Sequence, residues 1–115
     1  MAKNRQLILA KTFDRRGKQI AAAVNDYSKS HPIMKHYAEM VGLDDKIFLH
    51  AEILAILRSN ESRIHTIAVE RYGKSGQMLL AKPCPVCMAA IRANGISKVK
   101  FTSENGWQML DVSGI

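Results

Sequence analysis

An α/β fold, a sheet covered by helices, is what this sequence predicts, and three observations predict it. Strand-length apolar runs alternate with apolar segments of helical period. Gly and Asn-Gly turn signals separate them, and no repeat or linker-like run interrupts the 115 residues. With 47% apolar residues the chain can bury a real core, so residues 1–115 are read as a single domain, folded from residue 6 onward.

The elements follow in order. QLILAKTF is apolar and strand-length, DRRGK supplies a turn through Gly17, and QIAAAVN resumes the apolar run, which predicts a hairpin. In DYSKSHPIMKHYAEMVGLDD, Ser30 would cap a short helix and Pro32 would sit near its first turn. Its apolar positions Ile33, Tyr37, Met40 and Val41 run up to Gly42. KIFLHAEILAILRSN places Ile53, Leu54, Ile56 and Leu57 after His50, apolar on nearly every face, the pattern of a buried helix. SRIHTIAVERYGKSGQMLLAK reads as a strand, a Gly-containing turn and a second extended segment, and PCPVCMAAIRANG as a helix stopped at Asn94-Gly95. KVKFTSENGWQMLDV closes the chain as an antiparallel hairpin around Asn105-Gly106. The sum is a mixed sheet of about five strands with helices packed on it.

Composition narrows the function classes. No stretch reaches the roughly 18 uninterrupted apolar residues that a membrane span needs, and the start, MAKNRQLILAKTFDRRGK, lacks the apolar centre and cleavage site of a secretory signal. No membrane role is expected, and the expected location is cytoplasmic. The formal charge of +7 is uneven: residues 1–35 carry eight Lys and Arg against two Asp and Glu, residues 36–115 nine against eight. That basic first third would attract phosphate, free or in single-stranded nucleic acid, or would simply be a solvated hairpin that keeps the protein soluble.

The chemistry centres on AKPCPVCMAA, residues 81–90. Cys84 and Cys87 are the only cysteines, and a lone close pair in a reducing compartment points to metal binding or catalysis rather than cross-linking. Both fall in the first turn of an expected helix, where unpaired backbone N–H groups and the helix dipole favour thiolate. Three readings compete. A thioredoxin-like redox pair needs a downstream proline facing it, and Pro32, Pro83 and Pro85 all precede Cys87. A structural zinc knuckle needs four ligands, typically with a second cysteine pair, and none exists. The third reading adds His50 and Glu52 of HAE. His50 also opens an apolar helix, and two helices side by side on one sheet face would bring their N-termini together. One imidazole and two thiolates leave a tetrahedral position of Zn²⁺ open, the mark of a catalytic site, with Glu52 near enough to handle a proton. His31, His36 and His65 have no comparable partner in the sequence.

At these residues the chain resembles the cytidine/deoxycytidylate deaminase superfamily: H-A-E at 50–52 and P-C-P-V-C at 83–87 match its H-x-E…P-C-x-x-C signature. The resemblance implies a three-layer α-β-α sandwich and a Zn²⁺-dependent hydrolase that replaces the C4 amine of cytosine by a carbonyl, releasing ammonia. In that reading His50, Cys84 and Cys87 hold the metal at helix N-termini. Glu52 moves a proton from water to N3 and then to the departing amine. Substrate contacts are implied at Asn25 and at the backbone of Ala51, Pro83 and Cys84; the adjoining loop YSKSHP, with Lys29, two serines and His31, would hold a 5′-phosphate through Lys29 and hydroxyl donors. Asn25 could equally be a turn residue, and the loop of Lys29 and His31 merely polar. A free (deoxy)cytidine nucleoside or nucleotide is the implied substrate. A single-stranded polynucleotide, with Tyr27 or Trp107 stacking a base, and a purine base are the alternatives. A homo-oligomer is implied as well. Two departures stand out. Residues 1–5 alone precede strand one, where members usually carry a helix, and the turn SENG joins the last two strands with no helix between, as in free cytidine deaminases and some toxin-type members.

Overall fold

The computed structural model describes residues 7–30, 36–37, 39–42, 48–60 and 63–113. In chain order its elements are β1 (Ile8–Phe13), β2 (Gln19–Val24), β3 (Asp26–Ser30), β4 (Phe48–Leu49), α1 (Ala51–Arg58), β5 (Thr66–Arg71), α2 (Pro85–Ala93), β6 (Lys98–Ser103) and β7 (Gly106–Asp111). Five strands form one sheet in the order β2-β1-β5-β6-β7, with β5 and β6 parallel and every other neighbouring pair antiparallel. This is the mixed sheet of an α/β fold. The first hairpin turns as its sequence directs: Asp14 Oδ1 accepts from the backbone N–H groups of Arg16 and Lys18, each at 2.9 Å, and Gly17 takes the left-handed φ of 86°.

Strand alternation creates the face on which the helices sit. Ala10 and Thr12 of β1 lie opposite Val69 and Ile67 of β5, which lie opposite Phe101 and Val99 of β6, and all six are buried. Above them α1 contributes Ala51, Ile53, Ala55 and Ile56 to the core, and α2 contributes Val86, Cys87, Ala90 and Ile91. A hydroxyl relay fixes the far end of α1. Thr12 Oγ1 accepts from the Ala21 N–H and meets Ser59 Oγ at 2.6 Å, and Ser59 donates to the Ala55 carbonyl at 2.8 Å. Both hydroxyls are buried and satisfied, as buried polar groups must be. The opposite sheet face carries Phe13, Ala68, Lys100, Trp107 and Met109 around a groove of about 440 Å³.

Local expectations come out unevenly. Residues 31–35 of the expected first helix lie outside the described residues; His36, Tyr37, Glu39 and Met40 are helical, and Tyr37 packs into the core. DYSKS is a strand, not the loop expected, and pairs with β4 in a second, two-stranded sheet. Its polar residues show no alternation of apolar and polar positions, so pairing with β4 rather than pattern defines it. The segment after the Gly73–Gly76 turn makes one isolated bridge, Tyr72 to Met78, rather than a strand. Helix α1 is not buried all round, since Leu57 is 39% exposed. The last hairpin also turns one residue earlier than Asn-Gly suggests: Ser103 pairs with Gly106, and the glycine, at φ 105°, starts β7.

Candidate active site

Each candidate ligand stands where a helix begins. His50 is the N-cap of α1 and Cys84 the N-cap of α2, both with extended backbone, and Pro85 occupies the first turn, where its missing N–H costs nothing. Cys87, three residues after Cys84, falls on the same side of the helix one turn on. The two N-termini meet: His50 Nδ1 lies 3.2 Å from Cys87 Sγ and 3.6 Å from Cys84 Sγ, and the three ligand atoms all lie within 4.8 Å of one another. Cys87 is fully buried, Cys84 and His50 half-buried, and both thiols are free rather than bridged.

The surroundings polarise these groups unequally. Cys84 is pulled down to about 4, chiefly by the hydrogen bond it accepts from the Cys87 thiol, with His50 assisting against the cost of burial. Cys87, the donor in that bond and itself buried, is pushed well above the usual thiol range. The bond between the two sulfurs thus favours the thiolate at Cys84 and the thiol at Cys87, whereas a dication would hold both as thiolates. Glu52, in the first turn of α1, is 4% exposed. Burial raises its pKa, and its own backbone N–H, the charge of His50 and a hydrogen bond with Cys87 offset this only in part.

The triangle fits zinc. Bonds of about 2.3 Å to sulfur and 2.0–2.1 Å to nitrogen at tetrahedral angles separate the two donor atoms by about 3.6 Å, against 3.2 and 3.6 Å here. The family described as the cytidine and deoxycytidylate deaminase zinc-binding region matches residues 7–103. The chain belongs to that family. Among solved structures this deaminase-family domain is similar to the crystal structure of cytidine deaminase from Mycobacterium leprae. That match has a TM-score of 0.54 and 19% identity, and covers 95% of this chain and 78% of that one. At that identity the likeness is one of fold. No curated protein matches the chain. The zinc-binding family and the His-Cys-Cys cluster together identify Zn²⁺ as the cofactor of this deaminase.

The remaining candidate residues fall around this centre unevenly. Asp26 pairs with Leu49 across β3 and β4, so the residues next along, Asn25 and His50, stand side by side. Asn25 is buried, and its Oδ1 accepts from the Ile8 N–H at 3.0 Å, so it also locks the end of the first hairpin. Ala51 and Pro83 are buried beside the ligands they precede or follow in sequence. Lys29 lies in β3, and His31 lies outside the described residues. His36 is exposed, and His65 stands at the other end of the molecule, beyond the C-terminus of α2.

Thr102 is a positioning residue that no motif announces. Fully buried, it accepts from the Arg71 N–H at 3.1 Å and donates to the Leu79 carbonyl at 2.8 Å, while its own carbonyl accepts from the Ala81 N–H. It thereby ties the approach to Pro83 and Cys84 onto β6. Thr102→Val keeps the shape and removes the hydroxyl, so the deaminase should lose about 1–3 kcal/mol of stability. Its zinc affinity should fall too, whereas a substitution at exposed Lys100 should change neither. Chemical denaturation and zinc titration measure the two effects.

Proposed function

We propose that this deaminase hydrolyses a cytosine base, exchanging the C4 amine for a carbonyl and releasing ammonia, in a free (deoxy)cytidine nucleoside or (deoxy)cytidylate. The observation that carries the reading is Glu52, a buried carboxyl group beside the three ligands and outside the ligand set. A structural metal site has no use for such a group. His50, Cys84 and Cys87 hold the metal, which when bound supplies a water made acidic enough to ionise near neutral pH. Glu52 takes a proton from water, delivers it to N3 as C4 is attacked, and passes a proton to the amine as it leaves. Its raised pKa suits a group that must both accept and give up that proton.

The first N–H groups of α1 and α2 lack acceptors within their own helices. The N–H groups of Ala51 and Cys84 and the carbonyl of Pro83 therefore grip the pyrimidine edge. Asn25, adjacent to His50 across the small sheet, contacts the sugar or base. Lys29 and His31 hold a 5′-phosphate when one is present.

Ammonia release by the zinc-loaded protein should be measured on cytosine, adenine and guanine nucleosides, their monophosphates, and short single strands. Release from cytidine, deoxycytidine or their monophosphates is expected. Release from purines alone, or from strands alone, overturns the substrate assignment. Equal kcat/KM on deoxycytidine and its monophosphate removes Lys29 and His31 from the site.

A further inference from the structure

We propose that the basin at the C-terminal end of α2 is a second anion site, separate from the His50-Cys84-Cys87 centre, and that it takes phosphate groups. It encloses about 550 Å³ and is lined by Asp14, Arg15, Arg16, Arg63 and His65 with the end of α2 at Asn94 and Gly95. That volume is within the range of about 300–1,000 Å³ usual for small-ligand pockets. Its arginines come from two chain segments far apart in sequence, the β1–β2 turn and the residues entering β5, so its charge is a product of folding and not a run of basic residues.

The electrostatic balance favours an anion. Among the described lining residues three arginines stand against one carboxylate, that of Asp14, whose Oδ1 is committed to the backbone N–H groups of Arg16 and Lys18. None of the three arginines forms an ion pair with a described carboxylate. The C-terminal end of α2 adds about half a negative charge, which the arginines outweigh. His65 Nδ1 is engaged with Thr66 Oγ1 at 2.9 Å, so only its Nε2 is available to a ligand. Guanidinium forks match phosphate oxygens in pairs, and the arginine charge persists at any working pH.

Position separates this basin from the deaminase centre. Ten residues of helical rise, about 1.5 Å each, put it roughly 15 Å from Cys84, at the opposite end of the helix pair. The phosphate it takes is therefore not the 5′-phosphate of a base held at Glu52, and the inference stands independently of the proposed substrate.

Two probes distinguish the sources of phosphate, inorganic tripolyphosphate and a fluorescent oligothymidylate, which has no C4 amine to lose. Both are titrated onto the zinc-loaded wild type, onto the double variant Arg15→Ala with Arg63→Ala, and onto Lys100→Ala on the far sheet face. At least one probe should bind, about tenfold or more weakly to the double variant and unchanged to Lys100→Ala. Each arginine removed should lower the salt slope for the oligonucleotide by about 0.7. Ammonia release and melting temperature should not move, because the altered side chains are exposed. Binding of oligothymidylate alone assigns the basin to a polynucleotide backbone, and binding of tripolyphosphate alone to a free phosphate compound. Failure of both probes, undiminished binding to the double variant, or equal weakening in Lys100→Ala overturns the proposal.

Discussion

Glu52→Gln should leave the zinc content of the protein intact and cut kcat by about 10²–10⁴-fold, the contribution usual for a positioned general acid–base. The amide has the shape of the carboxyl group and can accept or donate hydrogen bonds, but it cannot carry a proton between water, N3 and the leaving amine. Stability should not fall. The carboxyl group is buried at some cost, seen in its raised pKa, and the neutral amide avoids that cost. The expected result is a variant that melts at or above the wild-type temperature, binds zinc and substrate, and does not turn over. Metal analysis, calorimetry and ammonia release give the three readouts. Turnover near wild type would remove Glu52 from the reaction, and loss of zinc would make it a ligand or a support for one.

The second large effect is expected at Cys87. This sulfur is fully buried, 3.2 Å from His50 Nδ1, and hydrogen-bonded to Cys84. Cys87→Ser should empty the site, because a serine hydroxyl does not ionise as a thiol does and is a poor ligand for zinc. Activity should drop to background. Chelation of the wild type should do the same reversibly, and both treatments should destabilise the fold. An ion at about 1,000 times its Kd contributes about 4 kcal/mol, so Tm should fall by on the order of 10–20 °C. If the chelated protein retained its Tm and the variant its zinc, the three side chains would not be a metal site. Readdition of zinc separates the cases, since it restores the chelated wild type and leaves the variant inactive.

Both predictions concern residues that local sequence singled out, and the reasons differ. His50 and Cys84 are each visible because the start of an apolar helical period is a local feature, after the apolar IFL for His50 and between two prolines for Cys84. Cys87 follows from Cys84 by helix geometry. Glu52 is conspicuous as an acid on an otherwise apolar helix, although its burial is not local information. Thr102 and the Thr12–Ser59 pair left no such trace, because a threonine in a strand is ordinary and the contacts of Thr102 with Arg71 and Leu79 and of Thr12 with Ser59 span 23 to 47 residues. Strand β3 escaped for the related reason that two-residue β4 defines it by pairing alone. Arg63 opens a segment that reads as a strand, and only folding set it beside the Arg15-Arg16 turn.

By itself the sequence determined the periods, the turns and the ordered H-x-E and P-C-x-x-C pair, hence the α/β class and the deaminase family, because these depend on spacing within one element or one turn. Only the tertiary structure decided that the two helix N-termini converge, that the sulfurs of Cys84 and Cys87 close on His50 Nδ1, and that a basic basin stands at the other end of α2. Those facts depend on distances between segments far apart in the chain. Such distances are set by the packing of α1 and α2 on one sheet face, which no window of neighbouring residues contains.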